Sequence, residues 1–192
     1  MIKENYYRKE IEYVRDNSKR QDLIYLIGLL PDYYFEISAS STNKYHPDYA
    51  CTKGGLVKHT KVVTRIGYEL LNNEIFSSKF TPQEKDLIIM ALILHDGLKC
   101  GIEKERYTRF DHPILMSKLI MENSTNLSLT TEELRKLCKM IEAHMGPWNT
   151  NSYSDVVLPK PTNSLERFVH LCDYLASRKF LNVKFDGINI KE

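Results

Sequence analysis

The chain has 192 residues, and its 27 Lys and Arg against 25 Asp and Glu leave a formal net charge of +2. That length fits one domain with a substantial core, and the near balance gives no strong signal for duplex nucleic acid. Four scattered cysteines (Cys51, Cys100, Cys138, Cys172), no signal-like start and no apolar run near the roughly 20 residues of a membrane helix point to a cytoplasmic protein with reduced thiols and no membrane partner.

From about Asn5 to Leu30, apolar residues recur at helical intervals: Tyr7, Ile11, Val14, Leu23, Ile24 and Ile27. The pattern predicts one or two helices ended by Pro31. They are expected to pack on the rest of the chain, with a contact in a homo-oligomer as the alternative. Residues Ser38 to Pro47 are polar, rich in hydroxyls and without period, so they read as a loop. Lys44 and His46 in this loop are chemically suited to gripping phosphate oxygens, although a solvated connector would look the same. A helix is expected from about Leu56 to Leu71, with Val62, Val63, Ile66 and Leu70 as its buried stripe. His59 falls on the side of Val63 and Ile66. Alone, such a histidine is more often a satisfied core residue than a ligand.

Thr81-Pro82-Gln83-Glu84 carries two helix-start signals, a capping box and a proline at the first helical position. The helix runs through the apolar stretch Leu87 to Leu94 into His95-Asp96-Gly97-Leu98-Lys99, which places His95 and Asp96 at the lip of the core. Adjacent helical side chains point about 100° apart, so these two can converge only where the helix ends. Gly97 is expected to permit that ending through its conformational freedom. Imidazole and carboxylate at the mouth of an apolar core form a candidate divalent-metal site. The charged loop from Cys100 to Phe110 reads as solvated.

Asp111 is expected to cap a helix from His112 to about Asn123, whose dipole would keep His112 neutral, as a ligand must be. Thr130-x-x-Glu133 opens another helix, through Leu134, Leu137 and Ile141 to His144, ended by Gly146-Pro147. Trp148 follows, able either to stack on a nucleobase or to cover the core. The last strong helix opens near Asn163-x-x-Glu166 and carries Leu165, Phe168, Val169, Leu171 and Cys172 around Asp173. An unpaired carboxylate there would be expensive, and a metal relieves that cost. His170, three residues before Asp173, reads as surface or core packing, with support of a ligand from behind as the alternative. Arg178 could reach a phosphate or complement the helix dipole. In the tail, Leu181, Val183 and Phe185 alternate as in a short extended segment.

The order His59, His95-Asp96, His112, His144, Asp173 resembles the HD-domain metal-dependent phosphohydrolase superfamily over roughly residues 40–180. Gly54-Gly55-Leu56-Val57-Lys58-His59-Thr60 and Asp173-Tyr174-Leu175-Ala176-Ser177-Arg178 look most like small bacterial and phage HD proteins, among them 3′-to-5′ exoribonucleases and dinucleoside-polyphosphate hydrolases. The resemblance implies an all-α bundle: an HD domain over 36–180, a helical segment over 1–35 packed on it, and a tail over 181–192. It implies that His59, His95, Asp96 and Asp173 hold one divalent metal and that His112, His144 and a bridging Asp96 hold a second. Ligands of this kind suit Mn²⁺, Fe²⁺, Co²⁺, Ni²⁺ or Mg²⁺ better than a structural zinc.

Asp96 and Lys99 would then be catalytic, and Lys44, His46, Trp148 and Arg178 would contact a phosphorylated small molecule or oligonucleotide. The chain departs from the family pattern twice. Its glycine stands one place early in His95-Asp96-Gly97-Leu98-Lys99, and His144-Met145 replaces the His-His pair of many two-metal members. The expected activity is a phosphodiesterase on a nucleotide or short oligonucleotide. A nucleotide phosphatase or triphosphohydrolase and a non-catalytic metal- and nucleotide-binding module are the alternatives.

Overall fold

The computed structural model describes residues 2–40, 42 and 44–191. In chain order its elements are α1 (Arg8–Ile11), α2 (Asn17–Leu29), α3 (Gly55–Asn72), α4 (Glu74–Ser77), α5 (Pro82–Leu94), α6 (His112–Glu122), α7 (Thr131–Glu142), α8 (Ser164–Ala176), β1 (Phe185–Asp186) and β2 (Asn189–Ile190). The fold is all-α apart from the two-residue strands, which pair antiparallel with Phe185 opposite Ile190. No helix of the described residues is long and apolar enough to cross a membrane.

The centre of the bundle is α5. Its start is fixed by the expected capping box: Glu84 N–H donates to Thr81 Oγ1 at 3.2 Å, and Thr81 N–H donates to the Glu84 carboxylate at 3.1 Å. From Leu87 to Leu94 every side chain is buried. A helix apolar all round must be covered all round, and α2, α3, α7 and α8 do this. Thr130 and Glu133 form the same reciprocal cap at α7, and Asn163 Oδ1 accepts from Glu166 N–H at α8.

The N-terminal helices pack on the chain's own core. Asp86 of α5 accepts the backbone N–H groups of Arg15 and Asp16, and Asp22 of α2 accepts the backbone N–H and the hydroxyl of Ser128. Tyr7, Tyr34 and Thr60 form a buried hydroxyl chain at 2.6 and 3.0 Å. Gly54 and Gly55 let residues 48–51 lie against the start of α3. Gly54 adopts a left-handed φ of 70°, and a Cβ on Gly55 would come within 2.2 Å of the Ala50 carbonyl oxygen.

Four local expectations need correction. Gly97 does not end α5 by a left-handed turn. It is small because Leu30 and Met116 press on it, each 2.7 Å from where a Cβ would stand. Asp111 precedes α6 but makes no side-chain cap, since Arg109 holds its carboxylate at 2.7 and 2.8 Å. Leu171 faces outward rather than into the core. On α3, Ile66 and Leu70 are only half-buried, whereas Leu56, Gly67 and Leu71 are buried. That helix lies against both α5 and α8, so its buried arc is wider than one stripe.

Candidate metal centre

Five segments deliver the six expected side chains to one place. His59 lies in the second turn of α3, Asp173 in the last turn of α8, and His112 opens α6. His95 caps the C-terminus of α5 with Asp96 next to it, and His144 stands two residues past the end of α7, not inside it. Nε2 of His59 is 3.0 Å from Asp173 Oδ1, and Nε2 of His95 is 3.7 Å from the same oxygen. Asp96 faces two ways. Its Oδ2 lies 3.5 Å from His95 Nε2, while its Oδ1 lies 3.0 Å from His112 Nε2 and 3.7 Å from His144 Nε2. Two sets of donor atoms therefore lie within 4.8 Å of one another, His59-His95-Asp173 and His95-Asp96-His144.

Backbone carbonyls aim the rings. Nδ1 of His95, His112 and His144 lies 2.8, 2.6 and 2.7 Å from the carbonyls of Leu92, Arg109 and Ile141, in each case three residues earlier. Leu92 and Ile141 sit in the last turns of α5 and α7, where carbonyls lack helical partners. A carbonyl only accepts, so Nδ1 carries a proton and it is Nε2 of each ring that is turned into the site, the nitrogen that would meet a metal.

The electrostatics follow from burial and neighbours. Burial opposes ionisation of Asp96, but Lys99 and His95 outweigh it and hold the carboxyl well below the usual carboxylate range. Asp173 is likewise held low against burial, by His59 and His95. Burial pushes His144 down to about 3, with His95 and His112 adding to the effect, so this imidazole is neutral. His59 is lowered too, by burial first. His95 moves the other way: burial opposes its protonation, but Asp96 and Asp173 raise its pKa. The carboxylates thus call for positive charge at the ring nitrogens.

These residues fit a divalent cation. His95 Nε2, Asp96 Oδ1 and His112 Nε2 are buried and have no hydrogen-bond partner among the described residues. In the neutral ring, His112 brings a lone pair to 3.0 Å from a carboxylate oxygen, acceptor against acceptor. A buried polar group left unmet is costly, and a shared cation with nitrogen and oxygen ligands removes the conflict.

The remaining expected residues are placed unequally. Lys99 is buried with Nζ 2.5 Å from Asp96 Oδ2. His46 packs its ring edge-to-face on His59 at 4.9 Å, and burial, then His59 and Lys99, push it down to about 3. Lys44 is exposed, its ammonium 5.2 Å from the Tyr45 ring rather than on the histidine cluster. Trp148 does not cover the core: half exposed, it stacks on Tyr174 at 5.7 Å and 11°. Arg178 lies 4.1 Å from that same ring and donates to the Tyr174 carbonyl and to Ser177 Oγ, which serves the end of α8.

One neighbour of the site escaped the reading of the sequence, and a second, His170, stands beside the site rather than in plain packing. Tyr174 follows a ligand candidate directly, and only that adjacency could have flagged it. His170 lies 2.7 Å from the His144 carbonyl through Nδ1, its ring against the bare backbone of Gly146. Gly146 has a φ of 61°, and any Cβ there would fall 2.2 Å from that ring. The spacing of three residues between His170 and Asp173 offered support of the site as the alternative to packing, and the contact with the His144 carbonyl is of that kind.

Compared with curated proteins and with solved structures, the chain has no significant match. The HD domain family model matches residues 56–178, a span that holds all six candidate ligands together with Lys99, Trp148 and Arg178. The chain belongs to the HD domain family, that of the metal-dependent phosphohydrolases.

Proposed function

We propose that the chain is a phosphodiesterase acting on a nucleotide or a short oligonucleotide with two divalent ions bound. The observation that carries this reading is the division of Asp96, one oxygen toward His95 and the other toward His112 and His144. His59, His95, Asp96 and Asp173 would hold one ion, and His112, His144 and Asp96 the other. Manganese, iron, cobalt, nickel or magnesium suits such donors. When bound, the ions supply Lewis-acid polarisation of a phosphoryl group and lower the pKa of water.

The chain's own groups have separable tasks. The carbonyls of Leu92, Arg109 and Ile141 keep three imidazoles in the ligand tautomer. Lys99, 2.5 Å from Asp96, stands where an ammonium can meet charge growing on phosphoryl oxygens. Trp148 and Tyr174 offer a flat apolar face for a base, Arg178 a guanidinium for a further phosphate, and His46 a neutral edge at the mouth. Lys44 would join them only from the exposed loop.

The test is a screen of the metal-loaded protein against short RNA and DNA, cyclic nucleotides, dinucleoside polyphosphates and nucleoside mono- and triphosphates. Diester cleavage is expected, with Asp96→Ala losing both activity and most of the metal measured by elemental analysis. Turnover of mononucleotides alone would make the chain a phosphatase or triphosphohydrolase. Metal binding without any turnover would make it a binding module, and equal metal in wild type and Asp96→Ala would move the centre elsewhere.

A further inference from the structure

One turn of α8 carries three groups of the site on one face. Asp173 is a ligand candidate, Tyr174 belongs to the aromatic pair with Trp148, and His170 stands three and four residues before them. Side chains at that spacing are neighbours on a helix. From there His170 reaches in two directions. Its Nδ1 lies 2.7 Å from the carbonyl oxygen of His144, and because a carbonyl only accepts, the imidazole donates. Its ring lies 6.0 Å from that of Trp148 and 6.1 Å from that of Tyr174. The same side chain thus meets the backbone of a ligand candidate and the aromatic pair.

That backbone needs holding. His144 stands past the end of α7, where the helical ladder has given way to turns. The Ile141 carbonyl aims its ring, but among the described residues only His170 donates to its own carbonyl oxygen. Gly146 makes that approach possible. With a φ of 61° and no side chain, it leaves the space that the imidazole fills, since a Cβ would fall 2.2 to 2.5 Å from three atoms of the ring. The ligand set being steadied is also the leaner one. His112, His144 and Asp96 form it, and the residue after His144 is Met145, which brings no imidazole. Where ligands are few, the aim of each counts for more.

We propose that His170 is a positioning residue that couples the aromatic face to the second ion, so that a base resting on Trp148 and Tyr174 tightens the hold of His144 on metal. This coupling rests on the reading of the metal centre as two ions beside a base-binding face. A base stacked on Trp148 restrains that ring and Tyr174. They restrain the imidazole beside them, and the imidazole restrains the His144 peptide. The linkage is reciprocal: whatever factor the base adds to ion affinity, the ion adds to affinity for the base. The nucleobase then helps to complete the second ion site, which favours a nucleotide as substrate over a phosphate ester without a base.

Adenosine is the probe, because it carries a base and no phosphate to touch a metal. Trp148 is the only tryptophan of the chain, so its fluorescence reads the aromatic face directly. Mn²⁺ is titrated calorimetrically into the metal-free full chain, with and without adenosine, as wild type, His170→Phe and His170→Asn. In wild type, adenosine should change the Trp148 emission and tighten the second ion roughly fivefold or more, the lower end of ordinary coupling. His170→Phe keeps a ring but no donor. Its second ion should bind roughly tenfold more weakly, the scale of a lost group behind a ligand, and should ignore adenosine. His170→Asn keeps a donor near the place of Nδ1 but gives up the ring. It should recover most of the second-ion affinity and still ignore adenosine. In both variants the first ion and the melting temperature should stay close to wild type, which a loss of packing alone would not allow. Adenosine that changes the Trp148 emission of wild type but leaves its second ion unaffected overturns the coupling. So does His170→Phe with wild-type ions and response, or a common loss of both ions and of melting temperature. A wild type that binds one ion, or whose Trp148 emission is indifferent to adenosine, overturns the reading of the metal centre and the coupling with it.

Discussion

Lys99 shows how one side chain can hold two roles in the same site. Its ammonium, 2.5 Å from Asp96 Oδ2, is the positive group closest to a buried carboxylate. Removing one partner of a buried pair leaves a naked charge and costs about 3–5 kcal/mol. A bound divalent ion would take over that compensation. We therefore expect Lys99→Ala to melt well below wild type in chelator and close to it when metal-loaded, with turnover down roughly a hundredfold, the scale of one lost transition-state donor. Scanning calorimetry with and without metal, beside steady-state kinetics, checks this. An equal loss of stability in both states, with turnover within a few fold of wild type, would leave Lys99 a packing residue only. The ligand candidates were legible because imidazole and carboxylate are rare in apolar helices and recur here in a fixed order. Gly97 was not. Its smallness answers Leu30 and Met116, residues far away in sequence, and composition carries no trace of them.

At the scale of the element, starts were more legible than faces, because a cap is written within four residues and a face depends on neighbours. Thr81-x-x-Glu84 and Thr130-x-x-Glu133 each became a reciprocal cap. The stripe on α3 and the outward turn of Leu171 depended on where α5 and α8 came to lie. Glu133 joins both kinds of information: it caps α7 and also receives Lys19 of α2 at 2.9 Å. Partial burial opposes its ionisation, but Thr130 N–H and Lys19 prevail and hold its pKa below the ordinary glutamate value. A depressed folded pKa contributes stability above the unfolded pKa, and that stability is lost as pH falls through the folded value. Glu133→Gln can keep the cap but not the charge, so it should cost up to about 1 kcal/mol at neutral pH, with the exposed fraction of the pair screened. The gap from wild type should close as pH falls below the usual carboxylate range. Urea titrations at several pH values measure it, and a gap independent of pH would assign the loss to the cap instead.

The whole molecule is tied together where two residues outside the family match, Glu10 and Asn189, meet one inside it. Lys61 of α3 gathers Glu10 and Asn189, 51 and 128 positions away in sequence, under the ring of Tyr7 at 5.7 Å. Nothing local in the sequence marks Lys61, since a lysine on a long helix ordinarily reads as its solvated side. Burying an ammonium and a carboxylate together consumes most of what their attraction returns, so the pair adds little net stability. Breaking it is another matter. Lys61→Met should cost about 3–5 kcal/mol, because Glu10 is then left charged and enclosed. Glu10→Leu combined with Lys61→Met removes both charges and should recover most of that loss, which a double-mutant cycle in urea reads directly. Metal content should be unchanged throughout, since His59 faces away from Lys61. A double variant as unstable as the single one would mean that the ammonium acts through Asn189 and the hairpin rather than through Glu10. Lys61→Met with Asn189→Leu would then be the pair that restores the fold.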